Sequence, residues 1–222
     1  MCWSADPRGS KLVPMTSPVL AINDLVVRYP GAERPTLEGL TLSLSPGERL
    51  ALAGPSGCGK STVARAVLQL LPPGSQCSGG LLLAGQDPAR LPRSALRQLR
   101  GEAVGLVFQD PMTRLNPLLT IGDHLADTLE AHRSSWRHKR IQSRAKELLE
   151  RVGISPTRYG SYPHEFSGGM RQRLAIALAM ALEPDLVIAD EPTTSLDVAV
   201  AGQVMAELRE LCEEVLDFPR SR

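Results

Sequence analysis

The stretch "GPSGCGKST", Gly54 to Thr62, constrains this chain more than any other. It meets G-x-x-x-x-G-K-[ST] at every fixed position, from Gly54 through Gly59 and Lys60 to Ser61. It also stands where such a loop works. The apolar run "RLALA" (Arg49–Ala53), expected as a buried strand, precedes it, and a helical pattern over Ser61–Leu71 follows until Pro72-Pro73-Gly74 stops it. The glycines let the backbone wrap a polyphosphate, Lys60 brings charge to the outer phosphates, and the Ser61 hydroxyl is a Mg2+ ligand. A strand, loop and helix in this order belong to an α/β fold whose ligands gather at the carboxyl ends of strands. Cys58, at the helix start, is either an acidified, oxidisable thiol or a small filler.

A second anion seat stands far downstream in "FSGGMRQR", Phe166–Arg173. A Ser-Gly-Gly at the head of a helix offers backbone N–H groups and the positive end of the helix dipole, about half a charge. That is too little to hold a polyphosphate alone, yet suited to sensing one held elsewhere. Charge excludes the alternative of bulk nucleic-acid binding: 25 Lys+Arg against 24 Asp+Glu leave a net +1. The longest apolar run, "LAIALAMAL" (Leu174–Leu182), falls well short of the ~20 residues that span a bilayer, so any membrane role is peripheral. The four cysteines, Cys2, Cys58, Cys77 and Cys212, form no CxxC pair, as expected of a reduced cytosolic protein. The first residues lack an apolar signal core. Residues 1–18 read as a disordered leader, and Met15 is an alternative start.

Along the chain, Val19–Pro30 and Thr36–Gly54 read as a small antiparallel layer feeding the strand Arg49–Ala53, with Pro46-Gly47 as a turn. Gly79–Asp87 reads as a strand and turn, Ser94–Gly101 as a short helix and Ala103–Asp110 as a buried strand. Thr120–Val152 turns helical and charged, and its basic stretch "HRSSWRHKR" (His132–Arg140) is either a solvated connector or an anion site, the connector being favoured. "DLVIADEP" (Asp185–Pro192) is a buried strand ending in acids, and a last helix runs over about 198–215. At the carboxyl end of that strand Asp190 is placed to hold the Mg2+ shell and Glu191 to polarise a water against the terminal phosphate. An acid pair at a strand end also serves as a turn device; the phosphate loop favours the chemical role. Gln109, ending another strand, can reach the metal or the water through its amide oxygen. Tyr29 is either a platform for an adenine ring or a core tyrosine.

With these stretches in order, the chain resembles an ATP-binding-cassette (ABC) ATPase subunit from about Val19 to Glu213. "GPSGCGKST" looks like the Walker A loop, Gln109 like the Q-loop glutamine, "FSGGMRQR" like the family signature and "LVIADE" like Walker B. Ser195-Leu196-Asp197 resembles the D-loop, and Tyr29 matches the adenine-stacking aromatic. The resemblance implies an α/β P-loop NTPase core with a mostly parallel sheet, an N-terminal antiparallel β layer and an inserted helical subdomain over about 91–166, in one domain over 19–222. It implies ATP and Mg2+ as ligands. ATP binding would fall to Tyr29, Gly54, Ser56, Gly57, Cys58, Gly59, Lys60, Ser61 and Thr62. Ser61, Gln109 and Asp190 would serve Mg2+, and Glu191 and Gln109 catalysis. Ser167, Gly168, Gly169 and Gln172 would cap the nucleotide of a second ABC ATPase subunit, with Ser195 and Asp197 at the shared interface.

"FQDPMTRLNPLLTIGDHL" (Phe108–Leu125) and "YPHEFSGGMRQR" (Tyr162–Arg173) are similar to the ATPase subunits of oligopeptide, dipeptide and nickel importers. Arg114 departs from the serine expected there. Such a subunit would energise import, of peptides by preference, from the cytoplasmic face of the plasma (inner) membrane. Its partners would be transmembrane permease subunits and, indirectly, a solute-binding protein. One further element of the family, a histidine after a buried strand downstream of Walker B, has no counterpart, because His124, His132, His138 and His164 all precede Asp190. In the family that strand lies between the Walker A and Walker B strands. Its absence removes roughly 8–15 kcal/mol of apolar burial, against a net domain stability of ~5–15 kcal/mol. The chain is therefore expected to be truncated, with a weakened core. The alternative to a competent ATPase is a catalytically impaired nucleotide-binding partner or a truncated gene product.

Overall fold

The computed structural model describes residues 17–108, 115–190 and 202. The chain divides into two compact units, Met1–Leu91 and Pro92–Arg222.

The first unit is built on three antiparallel strands, β1 (Leu20–Arg28), β2 (Leu37–Leu44) and β3 (Gln76–Leu83), in the order β2-β1-β3. The apolar alternation of β1 runs Leu20, Ile22, then skips a step to Leu25 and Val27, and all four are buried. A simple strand would turn the second pair outward. A bulge at Asn23–Asp24 absorbs the extra residue and rephases the strand, with Asp24 left-handed at φ 51. Gly79 on β3 makes room for it: a Cβ there would lie 2.3 Å from the Asp24 carbonyl oxygen, at a φ of +102. The helix α1 (Lys60–Val67) buries Val63, Ala64, Ala66 and Val67 and packs on β3. Among the described residues the first unit follows the expected antiparallel layer, with β3 three residues earlier than expected and α1 ending at Val67 instead of Leu71.

The strand expected over 49–53 is not formed. No described strand pairs with these residues, and Leu50 and Leu52 are 51% and 43% exposed. The physical reason is that a buried strand of a parallel sheet is held by neighbours on its edges and by layers on both faces. Apolar composition supplies neither.

In the second unit α2 (Arg93–Glu102) leads into β4 (Val104–Val107), which pairs in parallel with β5 (Leu186–Ala189) in the register Val104↔Leu186 to Val107↔Ala189. Both strands are shorter than the apolar runs suggested. On β5 only Leu186 is fully buried, so the expected buried strand is covered at its start and open towards Ala189. The helices α3 (Ile121–Glu130), α4 (His138–Arg151) and α5 (Gly168–Met180) surround the main core. Ile121, Leu125 and Leu129 form one stripe, spaced i, i+4, i+8, and Ile141, Ala145, Leu148 and Leu149 another, spaced i, i+4, i+7, i+8, as in a helix with one buried face. Thr120 starts α3 with a reciprocal cap: its hydroxyl accepts from the Asp123 N–H at 3.1 Å, and the Asp123 carboxylate accepts from the Thr120 N–H at 3.0 Å. The hydrogen bonds from Thr120 hold the Asp123 carboxyl below its ordinary range. The last helix expected, over about 198–215, lies outside the described residues, Gly202 apart.

The basic stretch 132–140 joins α3 to α4, as the connector reading expects. Arg133 pairs with Glu102, and the Arg140 guanidinium lies 4.1 Å from the centre of the Trp136 ring. His132 is mostly enclosed here, and burial pushes its imidazole below the ordinary histidine range; Glu102 opposes this, while Arg133 and Arg97 add to it. A depressed folded pKa gives stability that is complete above the unfolded value, ~6.5, and is lost as pH falls through the folded one. Between about pH 7.5 and about pH 5.5 the thermal midpoint of the native protein is therefore expected to drop further than that of His132→Gln. Equal drops in the two proteins would contradict the assignment.

Candidate functional site

The glycine-lysine loop is shaped by three local features. The Cys58 N–H turns back to the Pro55 carbonyl at 3.3 Å, and Gly57 and Gly59 take left-handed φ values of +82 and +98. Gly59 also admits no side chain, since a Cβ would lie 2.6 Å from Leu37 Cδ2 and 3.0 Å from the Thr36 carbonyl oxygen. The loop is thus pressed against the start of β2. Its turn delivers the chain into α1 at Lys60, and the Thr62 and Val63 N–H groups turn back to the Gly59 carbonyl at 2.9 and 3.1 Å. Lys60 Nζ donates to the carbonyls of Gly54 at 2.9 Å and Pro55 at 3.0 Å, which holds the ammonium over the loop's own backbone. Ammonium and the positive end of the helix dipole together favour an anion there.

Tyr29, the first residue beyond β1, is brought to this seat. Its hydroxyl lies 3.1 Å from Thr62 Oγ1 in the first turn of α1, and Arg65 Nη1 lies 3.5 Å from the same hydroxyl. Tyr29 is half-buried and Thr62 is buried. The ring is therefore neither a free surface group nor a core filler.

In the second unit, parallel pairing sets the carboxyl ends of β4 and β5 side by side: the Asp190 N–H donates to the Val107 carbonyl at 3.0 Å. Asp190 thus follows β5 at the strand end where α/β folds collect ligands. Gln109, Glu191, Ser195 and Asp197 lie outside the described residues. The Ser61 hydroxyl of the first unit and the Asp190 carboxylate of the second are each a hard oxygen donor of the kind that Mg2+ takes alongside phosphate oxygens. No cluster of three His, Cys, Asp or Glu side chains gathers among the described residues.

Ser167 caps α5: its hydroxyl oxygen accepts from the Met170 N–H at 3.4 Å. Ser167 and Gly168 are exposed, and a Cβ added at Gly168 or Gly169 would meet nothing within 4 Å. Gln172 is separated from them. It is buried, 3% exposed, and its amide nitrogen finds no hydrogen-bond partner. Its side chain thus stands apart from the exposed Ser167 and Gly168. Two residues not singled out from sequence hold the approach to the helix. Arg171 Nε donates to the Pro163 carbonyl at 2.9 Å and its Nη2 to the His164 carbonyl at 3.2 Å, and Arg158 donates to the Glu165 carbonyl at 3.2 Å. Arg171 stands within the "SGGMRQR" string, which was a signal; Arg158 carried none.

A family model described as ABC transporter matches residues 37–194, from β2 past the signature and the Walker B acids. The chain belongs to the ABC transporter family. The ABC cassette fold follows from solved relatives as well. The dimeric ATP-binding cassette MJ0796, in a post-hydrolysis state with ADP and phosphate, is 29% identical with a TM-score of 0.74, over 88% of this chain and 83% of that one. The protein cbiO1 of Clostridium perfringens, part of the ABC transporter complex cbiONQ, is 28% identical with a TM-score of 0.76, over 90% and 76%. Among curated relatives, the oligopeptide transport ATP-binding protein OppD of Mycobacterium tuberculosis is 45% identical over 87% of this chain. OppD of Bacillus subtilis is 40% identical over 89%, and the dipeptide transport ATP-binding protein DppD of Bacillus subtilis 41% over 87%. This ABC chain spans 32%, 56% and 59% of the lengths of those three relatives.

Proposed function

We propose that this chain is the ATP-binding and ATP-hydrolysing subunit of an ABC importer, with peptides as the cargo class. The observation that carries the reading is the pair of outward seats: the Lys60 loop on one unit, and on the other a Ser-Gly-Gly helix start where an added Cβ would meet none of the described residues within 4 Å. Glycines left open at a helix start let an outside ligand approach the backbone N–H groups. Here that ligand is the ATP on the Walker A loop of a second ABC ATPase subunit. Lys60 and the first N–H groups of α1 bind the β- and γ-phosphates, and Tyr29 carries the adenine. Ser61 on the first unit and Asp190 and Gln109 on the second would supply oxygen donors for Mg2+, whose charge would offset that of the phosphate oxygens. Glu191 accepts the proton of the attacking water. Once the γ-phosphate is gone, the two subunits lose the bridge between them, and the transmembrane permease subunits follow the change. The names of the OppD and DppD relatives support the peptide cargo. The same names support attachment to a membrane transporter, here at the cytoplasmic face of the inner membrane; no described helix is long and apolar enough to cross a membrane.

Calorimetry of MgATP on the full chain, and sedimentation of a Glu191→Gln variant with and without MgATP, test this reading. Heat of binding is expected, together with an ATP-dependent dimer that the variant holds because it cannot complete hydrolysis. A monomer with no heat at any MgATP concentration would falsify it.

A further inference from the structure

The seat for phosphates and the platform for a base lie on different elements, and one nucleotide uses both only if their spacing is set. That spacing is fixed by a short chain of hydrogen bonds. Arg65 Nη1 lies 3.5 Å from the Tyr29 hydroxyl, and the hydroxyl lies 3.1 Å from Thr62 Oγ1. A guanidinium only donates. The Tyr29 oxygen therefore accepts from Arg65, and either hydroxyl can donate in the Tyr29–Thr62 bond. Thr62 is a firm anchor, being β-branched, 5% exposed and in the first turn of the helix that carries Lys60. A tyrosine ring has two soft torsions, and a bond at its hydroxyl, which lies on the second torsion's axis, fixes the first and with it the distance of the ring from α1.

We infer that Thr62 and Arg65 are positioning residues for Tyr29, which lock its ring at a set span from the phosphate loop so that a base stacks without first ordering it. This rests on the proposed role of Tyr29 as the base platform. Ordering the ring before the ligand arrives removes that entropy from the binding step. Arg65 itself is exposed, so its substitution leaves the packed core untouched.

The test titrates the full chain with MgATP and with magnesium tripolyphosphate, which has the phosphates but no base. Tyr29→Phe keeps the ring and removes the tether, and Arg65→Gln removes its outer donor. Each is expected to weaken MgATP by about three- to tenfold and to leave tripolyphosphate unchanged, while Arg65→Lys retains most of the MgATP affinity. Tyr29→Phe binding MgATP as the native chain does would overturn the inference. So would parallel loss of both ligands, which would mean that these residues act on the loop and not on the ring. If Tyr29→Ala also leaves MgATP binding intact while Lys60→Ala loses it, the platform reading fails, this inference fails with it, and the phosphate seat stands.

Discussion

Lys60→Ala lowers ATP turnover of the assembled transporter by about 10²–10³-fold and removes most of the MgATP binding heat of the isolated chain. The side chain sits where the loss is greatest. Its ammonium is held at 2.9 and 3.0 Å by two carbonyls of the loop it serves, so the charge is placed in advance and needs no reorganisation when negative charge shifts on the phosphates. Substitution removes the charge and leaves the glycine turn in place. The fold hardly notices, because two exposed hydrogen bonds to carbonyls contribute about 1 kcal/mol each, and Gly59 still presses on Leu37. An unfolding midpoint close to the native value, measured beside the turnover, separates the two effects. Turnover within about tenfold of the native enzyme would mean that the charge is not where the chemistry happens.

The second large effect is expected at a residue with open space beside it. In Gly169→Val the new Cβ meets nothing within 4 Å among the described residues outside its own helix turn, and valine is no worse a helix former than glycine. The isolated protein should therefore fold and bind MgATP unchanged. ATP-dependent pairing with a second subunit, followed by sedimentation, should be lost, and turnover of the assembled complex should fall about 100-fold or more. The separation is the informative part, because a defect confined to the assembled state locates the Ser167–Gly169 seat on another subunit's nucleotide. Loss of MgATP binding in the isolated chain would instead place this seat in the chain's own site.

Much of the candidate site was legible in the sequence, because loops that cradle phosphate need fixed residue types at fixed spacing. Gly59 must be glycine to take φ +98 beneath Leu37, and Lys60 must follow it at the head of a helix. The reciprocal Thr120–Asp123 cap and the helical stripes of α3 and α4 are equally local, set within a few residues by hydrogen-bond geometry and the 3.6-residue period. The bulge in β1 could have been read from the odd step between Ile22 and Leu25. It was missed because its accommodation at Gly79 lies on another strand.

The harder cases share one cause. "RLALA" and "LVIA" are alike in composition, yet the second forms a strand beside β4 and the first belongs to no described strand, since strand formation is decided by a neighbour's backbone. Gln172 and Gly168 stand four residues apart in one string of the signature, and only tertiary packing sends one into the core and leaves the other facing out. Tyr29 reads from sequence as either a core residue or a platform, and only the fold brings Thr62 and Arg65 to its hydroxyl. What the sequence determined alone was therefore the local chemistry: a phosphate loop, a helix-start anion seat, an acid at a strand end and the family they define. What only the tertiary structure decided was which of these residues face outward and which are tied together. Burial and pairing are properties of distant segments meeting, and no local spacing encodes them.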